Sequence, residues 1–227
     1  MPKRPHLAVK LARALSPVEL AAKLASSYSI RSTKDAALAL ERDGVKTRIE
    51  LYRLRTLPAG RKEWIWDLFE RNMKHLYEAS RDGWDPTEKR KELFDAESRF
   101  VVLRPSHPSV SERAGDNADL AGYAIFRFDT EDTADEGEGD GLCDVVYCYE
   151  LQVEQTCRGR GHGKLLMDCL ERIADETRMV KTILTVFKAN DAARTFYRGI
   201  GFSLDEIDPS RFEEDVDYEI LSKRTSR

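Results

Sequence analysis

The chain has 227 residues, enough for one full domain with an appendage and for a sizeable hydrophobic core. Its mean hydropathy of −0.55 and its 34% of charged residues exclude a membrane protein, because no apolar run approaches the length that crosses a bilayer. The formal net charge is only −4, and the basic residues near the start form no convincing nucleic-acid-binding stripe, so no direct nucleic-acid binding is expected.

The cysteines and the first residues bear on the cellular compartment. Cys143, Cys148, Cys157 and Cys169 show no paired metal-ligand spacing, so no metal site is expected and reduced thiols are the simplest interpretation. The start, Met-Pro-Lys-Arg-Pro-His, lacks the apolar stretch of a secretory signal, although a basic start also suits a transit peptide or a nuclear-entry signal. The expected location is the nucleus and cytoplasm.

Residues 1–45 predict a helical extension that precedes the main domain, residues 46–227. Ser16-Pro17-Val18-Glu19 is a capping box with proline at the first helical position, and apolar residues follow it at helical spacing. A second short helix is predicted near residues 34–42 and ends at Gly44.

The next region predicts a strand, a long helix and a pair of strands. Alternation over residues 47–54 indicates the first strand, and Pro58 begins a helix with an apolar stripe. Asp85-Pro86-Thr87-Glu88 caps a further short helix. Residues 100–103 and 120–128 predict an antiparallel pair joined by a loop. The stripe of the long helix comprises Ile65, Leu68, Phe69, Met73, Leu76 and Tyr77.

The most informative stretch joins a buried strand, residues 143–153, to a helix through a glycine-rich turn, residues 158–164. The unpaired N–H groups and positive dipole end of a helix N-terminus bind diphosphate, and glycines allow its close approach. A Walker A loop is excluded because Leu165 follows Lys164, and a dinucleotide loop because Lys164 stands where glycine is needed. A turn that merely connects strand and helix is the alternative.

Regular elements continue beyond the turn. Apolar residues from Leu166 to Ile173 recur at helical spacing, and residues 182–187 form a compact β-branched strand. Asn190-Asp191 then caps a second helix that ends at Gly201. Tyr218-Glu-Ile-Leu predicts the closing strand.

Two motifs resemble the Gcn5-related N-acetyltransferase superfamily: Arg158-x-x-Gly161-x-Gly163 at the turn and Phe196-Tyr197-x-x-x-Gly201-Phe202 on the following helix. The resemblance implies an α/β fold, with a mixed and mostly antiparallel sheet flanked by helices. It also implies a β-bulge in the central strand and acetyl-CoA held where the central strands splay. The residues that it places around acetyl-CoA are Leu151, Gln152, Val153, Gly159, Arg160, Gly161, His162, Gly163, Lys164 and Asn190.

The central strand carries an unusual number of functional groups. Amine acetylation needs a neutral nucleophile; a peptide α-amine titrates at about 7.7–8.0, so roughly one in ten is neutral at pH 7. Glu150 is the best-placed general base, the alternative being an ion-paired or solvent-facing carboxylate. In a regular strand Tyr147 and Tyr149 would lie on the face opposite Glu150, and a bulge would change this alternation. Tyr197 suits equally an acid near the CoA sulfur and an aromatic packed in the core.

Further motifs are similar to the N-terminal acetyltransferase D family, which acetylates the α-amine of histones four and two-A. They are Tyr147-Cys-Tyr-Glu150-Leu-Gln, Leu184-Thr185-Val-Phe-Lys-x-Asn190 and Tyr218-Glu-Ile-Leu-Ser-Lys-Arg-Thr225. The resemblance implies Glu150 as the catalytic carboxylate beside Tyr147 and Tyr149, with direct attack by the N-terminal serine amine. A monomer without a metal is expected. The substrate's first residues would contact Tyr77, Asp129, Glu131, Tyr149, Thr185 and Tyr218.

An acidic segment supports a cationic partner. From Asp129 to Asp144 the chain has eight carboxylates and no basic residue. Such a segment would steer a histone tail that begins Ser-Gly-Arg-Gly-Lys, although acidic runs are usually solvated loops. The sequence also departs from the family at Asp82, where tryptophan is frequent, and at Tyr197, where phenylalanine occurs.

Two other functions stay open. One is an acetyltransferase of the same fold for other peptide N-termini or for small amines, which a tyrosine-rich site with paired carboxylates would also fit. The other is a catalytically silent acyl-CoA-binding chromatin module. Glu150 and the intact phosphate turn argue against the silent module.

Overall fold

The structure, a computed structural model, describes residues 6–30, 36–42, 45–106, 119–133 and 141–226. The helices are α1 (Leu7–Ala14), α2 (Pro17–Ser27), α3 (Ala59–Ala79), α4 (Pro86–Leu93), α5 (His162–Thr177) and α6 (Asp191–Gly199). The strands are β1 (Ala37–Arg42), β2 (Val45–Arg53), β3 (Arg99–Ser106), β4 (Gly122–Asp132), β5 (Leu142–Val153), β6 (Lys181–Phe187), β7 (Ser203–Leu204) and β8 (Tyr218–Arg224).

The strands form one sheet in the order β1-β2-β3-β4-β5-β6-β8-β7. All neighbours pair antiparallel except β5 and β6, which are parallel because the chain crosses from one to the other through α5. The predicted α/β fold, with a mixed and mostly antiparallel sheet flanked by helices, is confirmed.

Each face of the sheet is covered by helices. On one face α5 buries Leu166, Leu170 and Ile173 completely, in a core that also includes Val9 of α1 and Leu20 of α2. On the other face α3 packs its apolar stripe against β3 and β4, in a second core. Burial of nonpolar side chains on both faces therefore holds β5 at the centre of the molecule, and β5 carries the predicted catalytic residues.

The N-terminal region agrees only in part with the prediction. Ser16 and Glu19 form the predicted capping box: Ser16 N donates to Glu19 Oε2 at 2.7 Å, and Glu19 N donates to Ser16 Oγ at 3.2 Å. The helix predicted near residues 34–42 is wrong, since Ala37–Arg42 is strand β1, paired with β2. The alanines favour a helix locally, but pairing buries Leu38 opposite Ile49 and outweighs that propensity. The domain boundary at residue 45 stays a prediction.

Several predicted segments fall beyond the described ranges. Residues 34, 35 and 44 do so, as do residues 107–118 of the predicted loop and residues 134–140 of the acidic segment. Among the helices that the structure describes, none is both long enough and apolar enough to cross a bilayer.

Candidate active site

A cleft opens where the two parallel strands diverge. β5 and β6 pair from Val145 with Lys181 to Cys148 with Leu184, and both strands continue beyond the last pair. On its other edge β5 stays paired with β4 as far as Val153. Since Glu154 N–H donates to Ala121 O beside β4, strand alternation directs the N–H groups of Leu151 and Val153 toward the cleft. The cleft has a volume of about 1070 Å³.

A β-bulge at Tyr149 gathers the polar groups of β5 on one face. Ile125 pairs with Glu150, but the next residue of β4, Phe126, pairs with Cys148, so Tyr149 is the extra residue. Tyr147 and Glu150 consequently lie on the same face, the one that α3 covers. The prediction for a regular strand, that Tyr147 and Glu150 lie on opposite faces, is wrong here. The bulge implied by the family resemblance is confirmed.

Glu150 is a buried carboxyl group held by hydrogen bonds. The residue is 9% exposed, which excludes the solvent-facing alternative. Its Oε1 accepts hydrogen bonds from Gln152 Nε2 at 2.7 Å and from Leu151 N at 3.3 Å. Burial raises the pKa of Glu150 to about 7, although both hydrogen bonds act in the lowering direction. A carboxyl with this pKa accepts and releases protons near neutral pH, as a general base requires.

Aromatic side chains surround this carboxyl. The Tyr147 and Tyr149 rings lie 4.6 Å apart, and the Arg127 guanidinium lies over Tyr149 at 4.0 Å. Tyr147 Oη is 2.6 Å from Thr185 Oγ1, and burial raises the pKa of Tyr147 to about 12. Tyr77 packs edge-on against Phe187 at 4.9 Å, and burial raises its pKa as well. These phenols are therefore neutral hydrogen-bonding groups at physiological pH.

The cleft brings together most of the predicted acceptor residues, but not the two acidic ones. Tyr77, Tyr147, Tyr149, Thr185 and Tyr218 line it together with Glu150.

Asp129 and Glu131 lie outside that lining, because β4 carries them alongside the part of β5 that precedes Tyr147. Asp129 Oδ1 accepts a hydrogen bond from Arg13 Nη2 of α1 at 3.2 Å. Burial, together with the nearby Asp129, raises the pKa of Glu131. Both carboxylates still act on the aromatic residues at a distance, since their charges contribute to the raised pKa of Tyr149.

The glycine-rich turn has the shape of an anion cradle. Gly159 and Gly161 have φ values of 71° and 82°, which favour glycine, and Gly161 precedes α5 with no side-chain cap on the helix N–H groups. A Cβ at either position would meet no atom within 4 Å, so backbone borders open space there. A Cβ on Gly163 would lie 3.2 Å from Phe196 Cζ, so this glycine lets the two predicted motifs pack together.

Most predicted cofactor residues border the cleft. Arg160 is the exception and does not border it. The predicted residues that border the cleft are Leu151, Gln152, Val153, Gly159, Gly161, His162, Gly163, Lys164 and Asn190. Asn190 Oδ1 also accepts a hydrogen bond from Ala193 N at 3.2 Å, so it caps α6 as predicted. Tyr197 borders the cleft from α6; it is 8% exposed, and burial raises its pKa. The glycine-rich turn and the polar groups along this side of the cleft fit a bound diphosphate, and Tyr197 is a neutral phenol that also packs in the core.

The sequence did not indicate the contribution of α4. Asp85 Oδ1 accepts hydrogen bonds from Thr87 N and Glu88 N, which fixes the start of the helix. Lys89 and Glu92 thereby reach the cleft as an ion pair of 2.6 Å, with the Lys89 ammonium 4.4 Å from the centroid of the Tyr77 ring. Their spacing is also that of a solvated helix surface, so the sequence alone gives no signal for this role.

The splayed strands, the anion cradle and the buried carboxyl are features of a transferase that takes an acyl group from coenzyme A. Residues 65–202 match the acetyltransferase (GNAT) family, and the chain belongs to that family. Membership implies acetyl-CoA as the acyl donor. The described residues contain no cluster of three or more His, Cys, Asp or Glu that could hold a metal ion.

Individual relatives support this assignment. N-alpha-acetyltransferase 40 of Saccharomyces cerevisiae is 35% identical over 98 residues, which are 38% of this chain and 34% of the relative. The match thus spans about a third of that relative's length.

Two solved structures share the fold. NAA60 of Arabidopsis thaliana, in complex with a bisubstrate analogue, aligns with 78% of this chain and 98% of its own at 15% identity and a TM-score of 0.53. A chain of the NatC complex bound to Gag peptide and CoA aligns over 78% and 99% at 16% identity and a TM-score of 0.51. At these identities the likeness concerns the fold alone.

Proposed function

We propose that this protein transfers acetyl from acetyl-CoA to the N-terminal serine amine of histones four and two-A, with Glu150 as general base. The observation that carries the proposal is the buried Glu150 carboxyl, whose pKa is raised to about 7 in an aromatic cleft beside the anion cradle. The partial match to N-alpha-acetyltransferase 40 supports an α-amine as the acceptor.

The residues that would hold acetyl-CoA border one side of the cleft. The N–H groups of the turn from Gly159 to Lys164 would bind the diphosphate. The N–H groups of Leu151 and Val153 would pair with the pantetheine arm and the thioester carbonyl, and the Leu151 N–H would exchange its 3.3 Å hydrogen bond to Glu150 Oε1 for that contact. When bound, acetyl-CoA supplies the acetyl thioester. Asn190 would contact the same molecule from the start of α6.

The acceptor would enter from the aromatic side. As the neutral α-amine bonds to the acetyl carbon, Glu150 would accept the proton that the nitrogen then loses. The amide would form as the bond from the acetyl carbon to sulfur breaks, with the thiolate as the leaving group. Tyr197, a neutral phenol that borders the cleft, would return a proton to the departing thiolate. Tyr147 and Tyr149 would enclose the substrate's first residues, together with Tyr77, Thr185 and Tyr218.

The pH dependence should report the ionisation of Glu150. Below about pH 7 its carboxyl is protonated and cannot accept a proton, so kcat/KM should rise as pH increases through about 7. The substrate amine titrates at about 7.7–8.0 and adds a second rise. The check is a pH profile of kcat/KM for wild type and for the residual activity of Glu150→Gln, which should lose the lower ionisation. Identical profiles would contradict the base assignment.

The acidic residues of β4 should affect a cationic acceptor. Asp129→Asn combined with Glu131→Gln should raise the KM of a Ser-Gly-Arg-Gly peptide about tenfold, because two negative charges near the cleft are removed. With alanine as the third peptide residue, the same double variant should change KM much less. Steady-state kinetics on the two peptides provide the measurement. Equal effects on both would show that the carboxylates do not recognise the arginine.

Mapping the product tests the proposed reaction itself. A peptide that begins Ser-Gly-Arg-Gly-Lys should gain one acetyl group, located on the serine α-amine by tandem mass spectrometry. Acetylation of the internal lysine, or faster turnover of spermidine, would favour the broader acetyltransferase. Binding of CoA without any product would favour a silent acyl-CoA-binding module.

The proposal also includes a monomer that acts in the nucleus and cytoplasm without direct nucleic-acid contact.

A further inference from the structure

Two amide side chains form a directed hydrogen-bond chain that ends on the buried carboxyl. Asn72 Nδ2 of α3 donates to Gln152 Oε1 at 2.7 Å, and Gln152 Nε2 donates to Glu150 Oε1 at 2.7 Å. Gln152 is buried, and it lies two residues after Glu150 on the same face of β5. The chain therefore links a helix on one side of the cleft to the carboxyl at its centre.

The direction of this chain matters because an amide has a donor end and an acceptor end. When Asn72 donates to the oxygen of Gln152, the NH₂ group of Gln152 faces Glu150, where it stabilises a carboxylate. If the amide of Gln152 turned over, its oxygen would face Glu150 and favour the protonated carboxyl. Asparagine at position 72 can supply the donor that this arrangement needs. Aspartate has nearly the same shape and can only accept.

We infer that Asn72 is a positioning residue, which orients the Gln152 amide so that its NH₂ group donates to the Glu150 carboxylate. This inference rests on the proposed function for its catalytic meaning, but the hydrogen-bond chain is a property of the folded protein. Other charged or titratable groups also act on Glu150 and stay constant in the comparison below. They are Lys89 and Glu92 of α4, Tyr77 of α3, Tyr123 of β4, Cys148 of β5 and Tyr197 of α6. His75 of α3 lines the same cleft and is also unchanged.

The test compares Asn72→Asp with Asn72→Ala. In Asn72→Asp the Gln152 amide should turn over to donate to the new carboxylate, so the Glu150 titration should move up by about one pH unit or more. In Asn72→Ala the amide stays free to donate to Glu150, and the shift should be less than half as large. The readout is the carbon-13 signal of the Glu150 carboxyl followed by NMR across pH, assigned by its absence in Glu150→Gln.

A double-variant comparison separates the hydrogen-bond chain from simple charge repulsion. Gln152→Met retains the approximate size of the side chain and removes the amide, so Asn72→Asp should shift the Glu150 titration much less in that background. An undiminished shift would overturn the inference, as would equal shifts in Asn72→Asp and Asn72→Ala. Gln152→Met alone also removes a hydrogen-bond donor from Glu150, so it should raise the pH at which Glu150 titrates. This single variant tests the link from Gln152 to Glu150 even if Asn72→Asp fails to fold.

The kinetic readout distinguishes this inference from the proposed function. If wild type acetylates the serine peptide, the lower ionisation in the kcat/KM profile of Asn72→Asp should move up with the NMR titration. If the NMR titration moves but no variant acetylates any peptide, the positioning role holds and the proposed function is wrong. If the NMR titration of Asn72→Asp is unchanged in an enzyme that acetylates the serine peptide, the positioning role is wrong and the proposed function holds.

Discussion

Replacing Glu150 by glutamine should lower kcat for acetyl transfer about 10²–10⁴-fold, the contribution typical of a positioned general base. The amide cannot accept a proton from the amine, yet it preserves the size of the buried side chain and can still accept the hydrogen bond from Gln152. The affinity for acetyl-CoA should change by less than about twofold, because the cradle at the start of α5 is untouched. Steady-state kinetics and calorimetric titration with acetyl-CoA measure the two quantities.

The matched control is Glu154→Gln, four residues along the chain. Glu154 accepts hydrogen bonds from Trp64 Nε1 and Arg71 and does not line the cleft, so its variant should keep kcat within about threefold. Stability gives a further check on Glu150. Because its pKa is raised above the ordinary value, its contribution to stability is lost as pH rises through about 7. Glu150→Gln should therefore melt no lower than wild type at pH 8. If Glu150→Gln and Glu154→Gln lower kcat to a similar extent, Glu150 is not a specific general base.

Replacing Gly161 by alanine should weaken acetyl-CoA binding about tenfold or more. Its φ of 82° costs a residue with a Cβ roughly 1–2 kcal/mol, and relief of that strain would move the N–H groups that open α5. The added methyl group would also project into the open space beside the turn, where the diphosphate is expected. Isothermal titration of CoA into the folded variant measures the loss.

Gly141→Ala is the control for backbone strain. Gly141 has a φ of 73°, an added Cβ would meet no atom within 4 Å, and the residue precedes β5 far from the glycine-rich turn along the chain. Both variants should lose a similar free energy of unfolding, of about 1–2 kcal/mol. Only Gly161→Ala should lose affinity for CoA. Equal CoA affinity in the two variants would show that the turn does not hold the diphosphate.

The parts of the site that local sequence patterns specify were predictable. The turn at residues 158–164 is followed by helix α5, and Asn190 caps α6, because glycine conformation and helix capping depend on neighbouring residues. The order of the elements then brings Tyr147, Thr185 and Tyr218 to one cleft, and their contact with a substrate stays a prediction.

Local sequence patterns did not indicate the features that depend on distant pairing, and only the bulge among them was implied, by the family resemblance. Ala37–Arg42 forms a strand because β2 offers it a partner, which its own alanine-rich sequence does not indicate. The bulge at Tyr149 is defined only by its register with β4, and it decides which face Glu150 occupies. The hydrogen bond from Asn72 to Gln152 joins residues 80 positions apart, so no local pattern could indicate it.

The most direct test of the whole account is a crystal structure with a bisubstrate compound, in which CoA is joined through an acetyl bridge to the amine of Ser-Gly-Arg-Gly. The diphosphate should lie against the N–H groups between Gly159 and Lys164, with the bridging carbon and the serine nitrogen beside the Glu150 carboxyl. A diphosphate bound away from this turn, or a serine nitrogen remote from Glu150, would contradict the account.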